Sequence, residues 1–353
     1  MNGAHAIRCD RISELSSPLL LGTILGPVES VTPESMGTAG FSGSTHTRLR
    51  IALRDGRATS LVLKHTGLAA DWTAYRTGDA SGREAMLLAA PALGDVWRVF
   101  VSPHRGYAIE PGEVGLLMED LGPHLFPDVR EPLTVGAEDA LLSALARMHA
   151  AFWDSPVLAQ PWLAREADLI SLLGPLVLAG DSKPALPAPL GERVAEGWRE
   201  AFRLLPELTA RLLRRPASEH ERAHADLPHT LVHGDAKVAN FAVLPDGVAA
   251  FDWALAARAP ATVDLGWYLA INASRLARTR DEVIARYRGF LEGALGGSVD
   301  DRTWSRLLDV AILVGARMLL WNKALAVRDG RAGALEEWDW WVERLRALDS
   351  SRA

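Results

Sequence analysis

The segment Leu231-Val232-His233-Gly234-Asp235-Ala236-Lys237-Val238-Ala239-Asn240, followed by Ala249-Ala250-Phe251-Asp252-Trp253, decides how this chain is read. Between its two halves lies Asp246-Gly247, a dipeptide favoured in tight hairpin turns and placed midway between Asn240 and Asp252. Antiparallel pairing about that turn predicts an amide oxygen and a carboxylate meeting at the open end of a hairpin. Hard cations such as Mg²⁺ want oxygen ligands, and draw one or two from protein when phosphate and water complete the shell. Asn240 and Asp252 meet that requirement. Asp235 stands at the end of the preceding strand, where a carboxylate can orient an attacking hydroxyl or take its proton. An ordinary hairpin with polar ends is the plain alternative, and His233 taken alone reads as a core histidine.

The order His-Gly-Asp, four residues, Asn and then a later Asp resembles the catalytic loop of protein kinases, and more closely that of aminoglycoside phosphotransferases and related small-molecule kinases. The resemblance runs from about residue 35 to 270. It implies an α+β, bilobal protein-kinase-like fold, with a small antiparallel-sheet N-lobe at 1–121 and a larger, mainly helical C-lobe at 122–353. It implies ATP and Mg²⁺ as cofactors. The implied reaction moves the γ-phosphate to a hydroxyl of a small molecule of aminoglycoside, sugar or amino-alcohol type, with Asp235 as base and Asn240 and Asp252 on the metal. Lys237 resembles the lysine of the Asp-x-Lys loop in serine/threonine protein kinases, where a positive charge stabilises the phosphoryl oxygens; a solvated lysine is the alternative. Asp264, in Thr262-Val263-Asp264-Leu265-Gly266-Trp267-Tyr268, occupies the family's second acidic place and reads equally as a helix N-cap.

That resemblance requires phosphate cover, a lysine and its acidic partner upstream, and they occur in order. Residues 36 to 45 form a small-residue loop in which Ser42 and Gly43 are the candidate phosphate cover. Alternating apolar residues at 49, 51 and 53, the turn Asp55-Gly56 and the run Leu61-Val62-Leu63-Lys64 predict a hairpin over 46–64. Period-two alternation puts Val62 and Lys64 on one face, the first to roof adenine and the second to reach the phosphates. Glu84, on a helix expected over 81–90, is the ion-pair partner of Lys64, or else closes a capping box with Ser81. Strands are expected at 96–101 and 114–118, the latter running into a hinge whose backbone from Glu119 to Leu121 would bond adenine. Helices dominate from Glu138, with a loop at 174–191 and a helical tail from 264 to 348.

A competing motif is His220-Glu221-Arg222-Ala223-His224, which matches the zinc-protease pattern and would make the chain a zinc hydrolase through His220 and His224. Pro216 and Pro228 bracket it and a third ligand is missing, so an exposed polar helix is the plainer expectation. A catalytically inactive nucleotide-binding pseudokinase is the other alternative. The acid and tryptophan cluster at 336–341 suits either a cation cage or a helix docked by its tryptophan face.

Composition bounds the rest. With 48% hydrophobic and 23% charged residues and no low-complexity tract, the chain is expected to fold throughout. A net charge of −6 offers no broad attraction for nucleic acid or anionic lipid. Cys9 is the single cysteine, which fits a reducing compartment, and the apolar stretch 19–25 is too short to span a bilayer. The run 310–320 carries Arg317 and reads as a buried helix. The expectation is a cytoplasmic protein acting on a small-molecule hydroxyl substrate, with no nucleic acid, no membrane and no obligate protein partner. Only eleven residues separate Asp252 from Asp264, too few for a peptide-docking segment.

Overall fold

The computed structural model describes residues 6–37, 43–127, 130–179 and 186–350. In chain order the first elements are β1 (Ile7–Cys9), α1 (Pro18–Leu25), β2 (Val28–Ser35), β3 (Thr45–Leu53), β4 (Ala58–Gly67), α2 (Trp72–Thr77), α3 (Arg83–Ala89), α4 (Val96–Val99), β5 (His104–Glu110) and β6 (Glu113–Glu119). Then follow α5 (Val135–Ala151), β7 (Ala164–Arg165), α6 (Glu166–Ser171), α7 (Ala188–Leu204), α8 (Glu207–Arg214), α9 (Ala217–Ala223), β8 (Thr230–Val232), β9 (Phe241–Leu244), β10 (Gly247–Ala250) and β11 (Ala257–Ala259). The chain closes with α10 (Thr262–Ile271), α11 (Arg280–Leu295), α12 (Asp301–Arg328) and α13 (Ala334–Ser350). The fold is α+β, with a mainly antiparallel sheet first and helices after.

Contacts divide it into two compact units. The first comprises Met1–Asp128, Gln160–Trp162 and Ala239–Ala254; the second comprises Val129–Ala159, Leu163–Val238 and Leu255–Ala353.

In the first unit the alternation of the 46–64 segment is realised as a hairpin, Thr45 pairing with His65 and Ala52 with Ala58. It belongs to a six-stranded sheet of order β1-β5-β6-β4-β3-β2, in which only the β1–β5 pair is parallel. One face carries Leu49, Ile51, Leu53, Leu61 and Leu117, buried against Leu15 and Leu21. The opposite face carries Val62, Leu116 and Met118, packed with Ala85 of α3 and with Phe251. Lys64 follows Val62 at period two, so it emerges on this second face.

Residues 96–99 are helical, contrary to the strand expected at 96–101. The cause is aromatic packing at helical spacing: Trp97 and Phe100 both set their rings edge-on to Trp253, with centroids 5.8 and 5.7 Å apart. The extended backbone begins at Phe100, and Val101 bridges to Ala249. The β9–β10 hairpin forms, but its turn is Pro245-Asp246, because Leu244 pairs with Gly247. Proline presets the first turn position, and the pairing shifts so that Asn240 faces Phe251, with Asp252 one residue beyond.

In the second unit β8 pairs with β11, and β11 with β7. α10 and α12 cross closely: a Cβ on Gly266 would stand 2.1 Å from the carbonyl oxygen of Ala311, so only glycine allows the approach. Among the described residues α12 is the helix long and apolar enough to cross a membrane by composition, yet 78% of its apolar window is buried. It is a core helix. Arg317 on it is fully buried and donates to the carbonyls of Leu213 and Arg215 at the end of α8, at 2.6 and 2.8 Å. Burial lowers its guanidinium to about 10. Trp338 and Trp341 of α13 are buried, and Arg280 and Arg344 each lie 5.4 Å from the ring centre of Trp340. The tryptophan cluster is therefore a docking face for a helix, with the chain's own arginines on its half-buried ring.

Candidate active site

Within the first unit, the ammonium of Lys64 donates to Oε2 of Glu84 at 2.8 Å and to Oδ1 of Asp252 at 2.7 Å. The other oxygen of Glu84 accepts the backbone N–H of Asp252 at 2.7 Å and Nε2 of His104 at 3.2 Å. One buried carboxylate thus holds three donors. Burial alone would push Lys64 down, but Asp252 and Glu84 outweigh it and keep the ammonium well above the ordinary lysine range. Burial would likewise raise Glu84, and Lys64 with the His104 hydrogen bond holds it well below the usual carboxylate range. The pair stays charged.

Asp252 reaches this geometry in the left-handed region, at φ 64°. Such a conformation costs on the order of 1 kcal/mol for aspartate, a residue that tolerates it better than most. It turns the N–H to Glu84 and the carboxylate to Lys64 in one residue. Its side chain is 35% exposed, against 9% for Lys64 and 5% for Glu84, so Asp252 is the carboxylate of the trio that solvent reaches. Glu84 does not close a capping box: α3 begins after Gly82, which makes no side-chain cap, and Asp79 instead accepts the N–H groups of Ser81, Gly82 and Arg83.

Asn240 is buried directly before β9, and its carbonyl accepts the N–H of Phe251 at 3.2 Å. The hairpin ends therefore carry an amide and a carboxylate on neighbouring pairs, a donor set whose chemistry fits Mg²⁺ supplied with phosphate oxygens. Among the described residues no group of three or more His, Cys, Asp or Glu could hold a metal, so a closed zinc-type centre is not built. His220 and His224 are buried rather than on an exposed helix, and Nδ1 of His224 is engaged by Oε1 of Glu166 at 2.8 Å.

Of the remaining first-unit candidates, Ser42 lies outside the described residues. Gly43 takes φ 87° against the carbonyl of Ala70, and Ser44 is anchored to Thr66 at 2.8 Å. Val62 packs in the cluster that includes Met118 and Phe251; this aromatic ring, directly before Asp252, was not singled out from sequence. Glu119 and Leu121 line a cavity of about 330 Å³ with Leu61 and Leu244. The N–H of Glu119 donates to Pro103 at 2.9 Å and its carboxylate binds Arg105, while the carbonyl of Leu121 accepts from His124 and Leu125.

In the second unit, Asp235 follows β8 through Gly234, whose φ is 79° and whose hypothetical Cβ would stand 2.1 Å from the carbonyl oxygen of Leu255. The loop is held by α10. Asp264 accepts the N–H of His233 at 2.7 Å on Oδ2 and of Gly234 at 2.8 Å on Oδ1, and pairs with His149 at 3.0 Å. It lies inside the helix, whose N-cap is Ala261, so the capping alternative fails. His149 passes the network to the hydroxyl of Tyr287 at 2.6 Å, and burial pushes that phenol well above its ordinary range. Asn272, at the C-cap of α10, accepts the N–H of Val238 at 2.9 Å and donates to the carbonyl of Ala236 at 3.1 Å. Lys237 donates to Oδ2 of Asp235 at 2.7 Å, and the indole of Trp267 to Oδ1 at 2.7 Å. His149 on α5, Trp267 on α10 and Asn272 at its C-cap were not singled out from the sequence, where isolated residues of these types on buried helix faces carry no pattern.

A family model described as "Phosphotransferase enzyme family" matches residues 42–307. No curated protein matches the sequence. Among solved structures, an ethanolamine kinase from Plasmodium vivax is similar at 12% identity, covering 95% of this chain and 88% of that one, with a TM-score of 0.51. An aminoglycoside phosphotransferase from Alicyclobacillus acidocaldarius is similar at 15% identity, covering 92% and 91%, with a TM-score of 0.48. A choline kinase from Cryptosporidium parvum reaches 9% identity, 91% and 90% coverage and a TM-score of 0.48.

Proposed function

The chain belongs to the phosphotransferase enzyme family, and on that premise we propose that it moves the γ-phosphate of ATP to a hydroxyl of a small molecule. The observation that carries the reading is the Lys64–Glu84–Asp252 trio, a lysine fixed on a strand by two carboxylates of which one reaches solvent. Such a cation is preorganised for phosphate oxygens and needs no rearrangement of its partners when charge develops on them. Asn240 and Asp252 would hold Mg²⁺, which neutralises charge on the β- and γ-oxygens when bound. Val62 and Phe251 offer the base an apolar surface.

Asp235 takes the proton of the acceptor hydroxyl as its oxygen bonds to phosphorus, and Lys237 offers positive charge to the transferred group. A small acceptor is favoured by the segment after Asp252: three of its residues form β11, paired on both sides, which leaves no length for a peptide platform. Acceptors of the aminoglycoside, sugar and amino-alcohol classes suit that size.

The test is ADP release from Mg²⁺-ATP over a panel of aminoglycosides, sugars, choline and ethanolamine. One class is expected to stimulate release, with the stimulation lost on EDTA addition and in Asp235→Ala. Stimulation that survives the chelator or persists in Asp235→Ala contradicts the reading.

A further inference from the structure

We propose that Trp267 is a positioning residue of the transfer reaction, fixing Oδ1 of Asp235 so that Oδ2 is the oxygen that receives the acceptor's proton. This rests on the role assigned to Asp235 above.

The geometry starts from α10. Gly266 faces α12, where no Cβ fits, and each following residue turns about 100° around the helix axis. Asp264 and Trp267, three residues apart, therefore share a face, and that face meets the loop residue by residue. Asp264 takes the N–H groups of His233 and Gly234, Trp267 takes the side chain of Asp235, and Asn272 takes Ala236 and Val238. A single helix thus sets both the loop backbone and the carboxylate it presents.

The two oxygens of Asp235 are held unequally. The indole on Oδ1 belongs to a side chain 7% exposed on a packed helix, whereas the ammonium on Oδ2 belongs to Lys237, 36% exposed on a flexible stem. An indole N–H donates a hydrogen bond but no proton, so Oδ1 stays occupied through the reaction. Lys237 can leave Oδ2 for phosphate. The step then balances: the acceptor O–H bond breaks with its proton passing to Oδ2, the acceptor oxygen bonds to phosphorus, and the β–γ bridging bond breaks with its electron pair leaving on ADP.

The first arm of the test needs no known acceptor, and the second uses whichever acceptor class stimulates ADP release. In the full chain labelled with ¹⁵N at its 12 tryptophan indoles, Asp235→Asn is expected to move one indole N–H signal upfield, the same signal that vanishes in Trp267→Phe. Wild type and Asp235→Asn alone show whether a single indole responds, so the experiment stands even if Trp267→Phe folds poorly. In ADP release from Mg²⁺-ATP, Trp267→Phe is expected to lower kcat about tenfold, the loss of one hydrogen bond to a charged group, with KM for ATP within about twofold. An indole signal indifferent to residue 235, or a Trp267→Phe kcat equal to wild type, overturns the proposal. If Asp235→Ala keeps acceptor-dependent transfer, the functional reading falls instead, whatever the indole shows.

Discussion

In the first unit the candidate site side chains are held by charge: Lys64 sits between two carboxylates, and the buried one, Glu84, loses its compensating charge if the lysine is removed. In the second unit they are held by a helix face: the Asp264 carboxylate accepts the loop's backbone N–H groups, the Trp267 indole donates to Asp235, and the Asn272 amide donates to the carbonyl of Ala236. Charge clusters and hydrogen-bonded templates fail differently. Breaking a buried ion pair strands an uncompensated charge and costs stability, while cutting one strand of a template chiefly loosens geometry.

Lys64→Met should break the first kind of region hardest. Glu84 is left buried beside His104, and a stability loss of about 3–5 kcal/mol is expected as a shift of the urea midpoint, together with loss of ATP binding. A midpoint close to wild type would show that the trio is not held by its lysine. Asp264→Ala breaks the second region by orphaning the N–H groups of His233 and Gly234. Transfer should fall about 100-fold through misplacement of Asp235, with ATP affinity, read by calorimetry, near wild type. Parallel losses of binding and turnover would erase the contrast. Asn272→Ala removes the last contacts of the template and is expected to cost about 1 kcal/mol and only a few-fold in kcat, so a larger loss than for Asp264→Ala would put the anchor at the wrong end of α10.

The two regions also differ in how far the sequence exposes them. The 45–67 hairpin is legible because period-two alternation and an Asp-Gly turn are local signals, and they place Lys64 on the face it occupies. The pairing of Glu84 with Lys64 rested on order along the chain, since Ser81 offered an equally good local cap that the fold does not use. Misreading 96–101 as a strand has the same root: Val, Trp and Phe favour strands in isolation, and residues 96–99 turn helical where Trp97 and Phe100 pack on Trp253, 156 and 153 residues further on. Trp267 and Asn272 stayed hidden because a tryptophan and an asparagine on an apolar helix carry no pattern of their own. Their roles arise from partners more than thirty residues back in the chain.

The central claim is that Asp235 handles the acceptor's proton while the Lys64 region binds nucleotide. Its most direct test is a paired measurement of Mg²⁺-ATP affinity and single-turnover phosphate transfer in wild type and Asp235→Asn. The account predicts unchanged affinity with transfer slower by about 10³-fold; transfer at the wild-type rate in Asp235→Asn would contradict it.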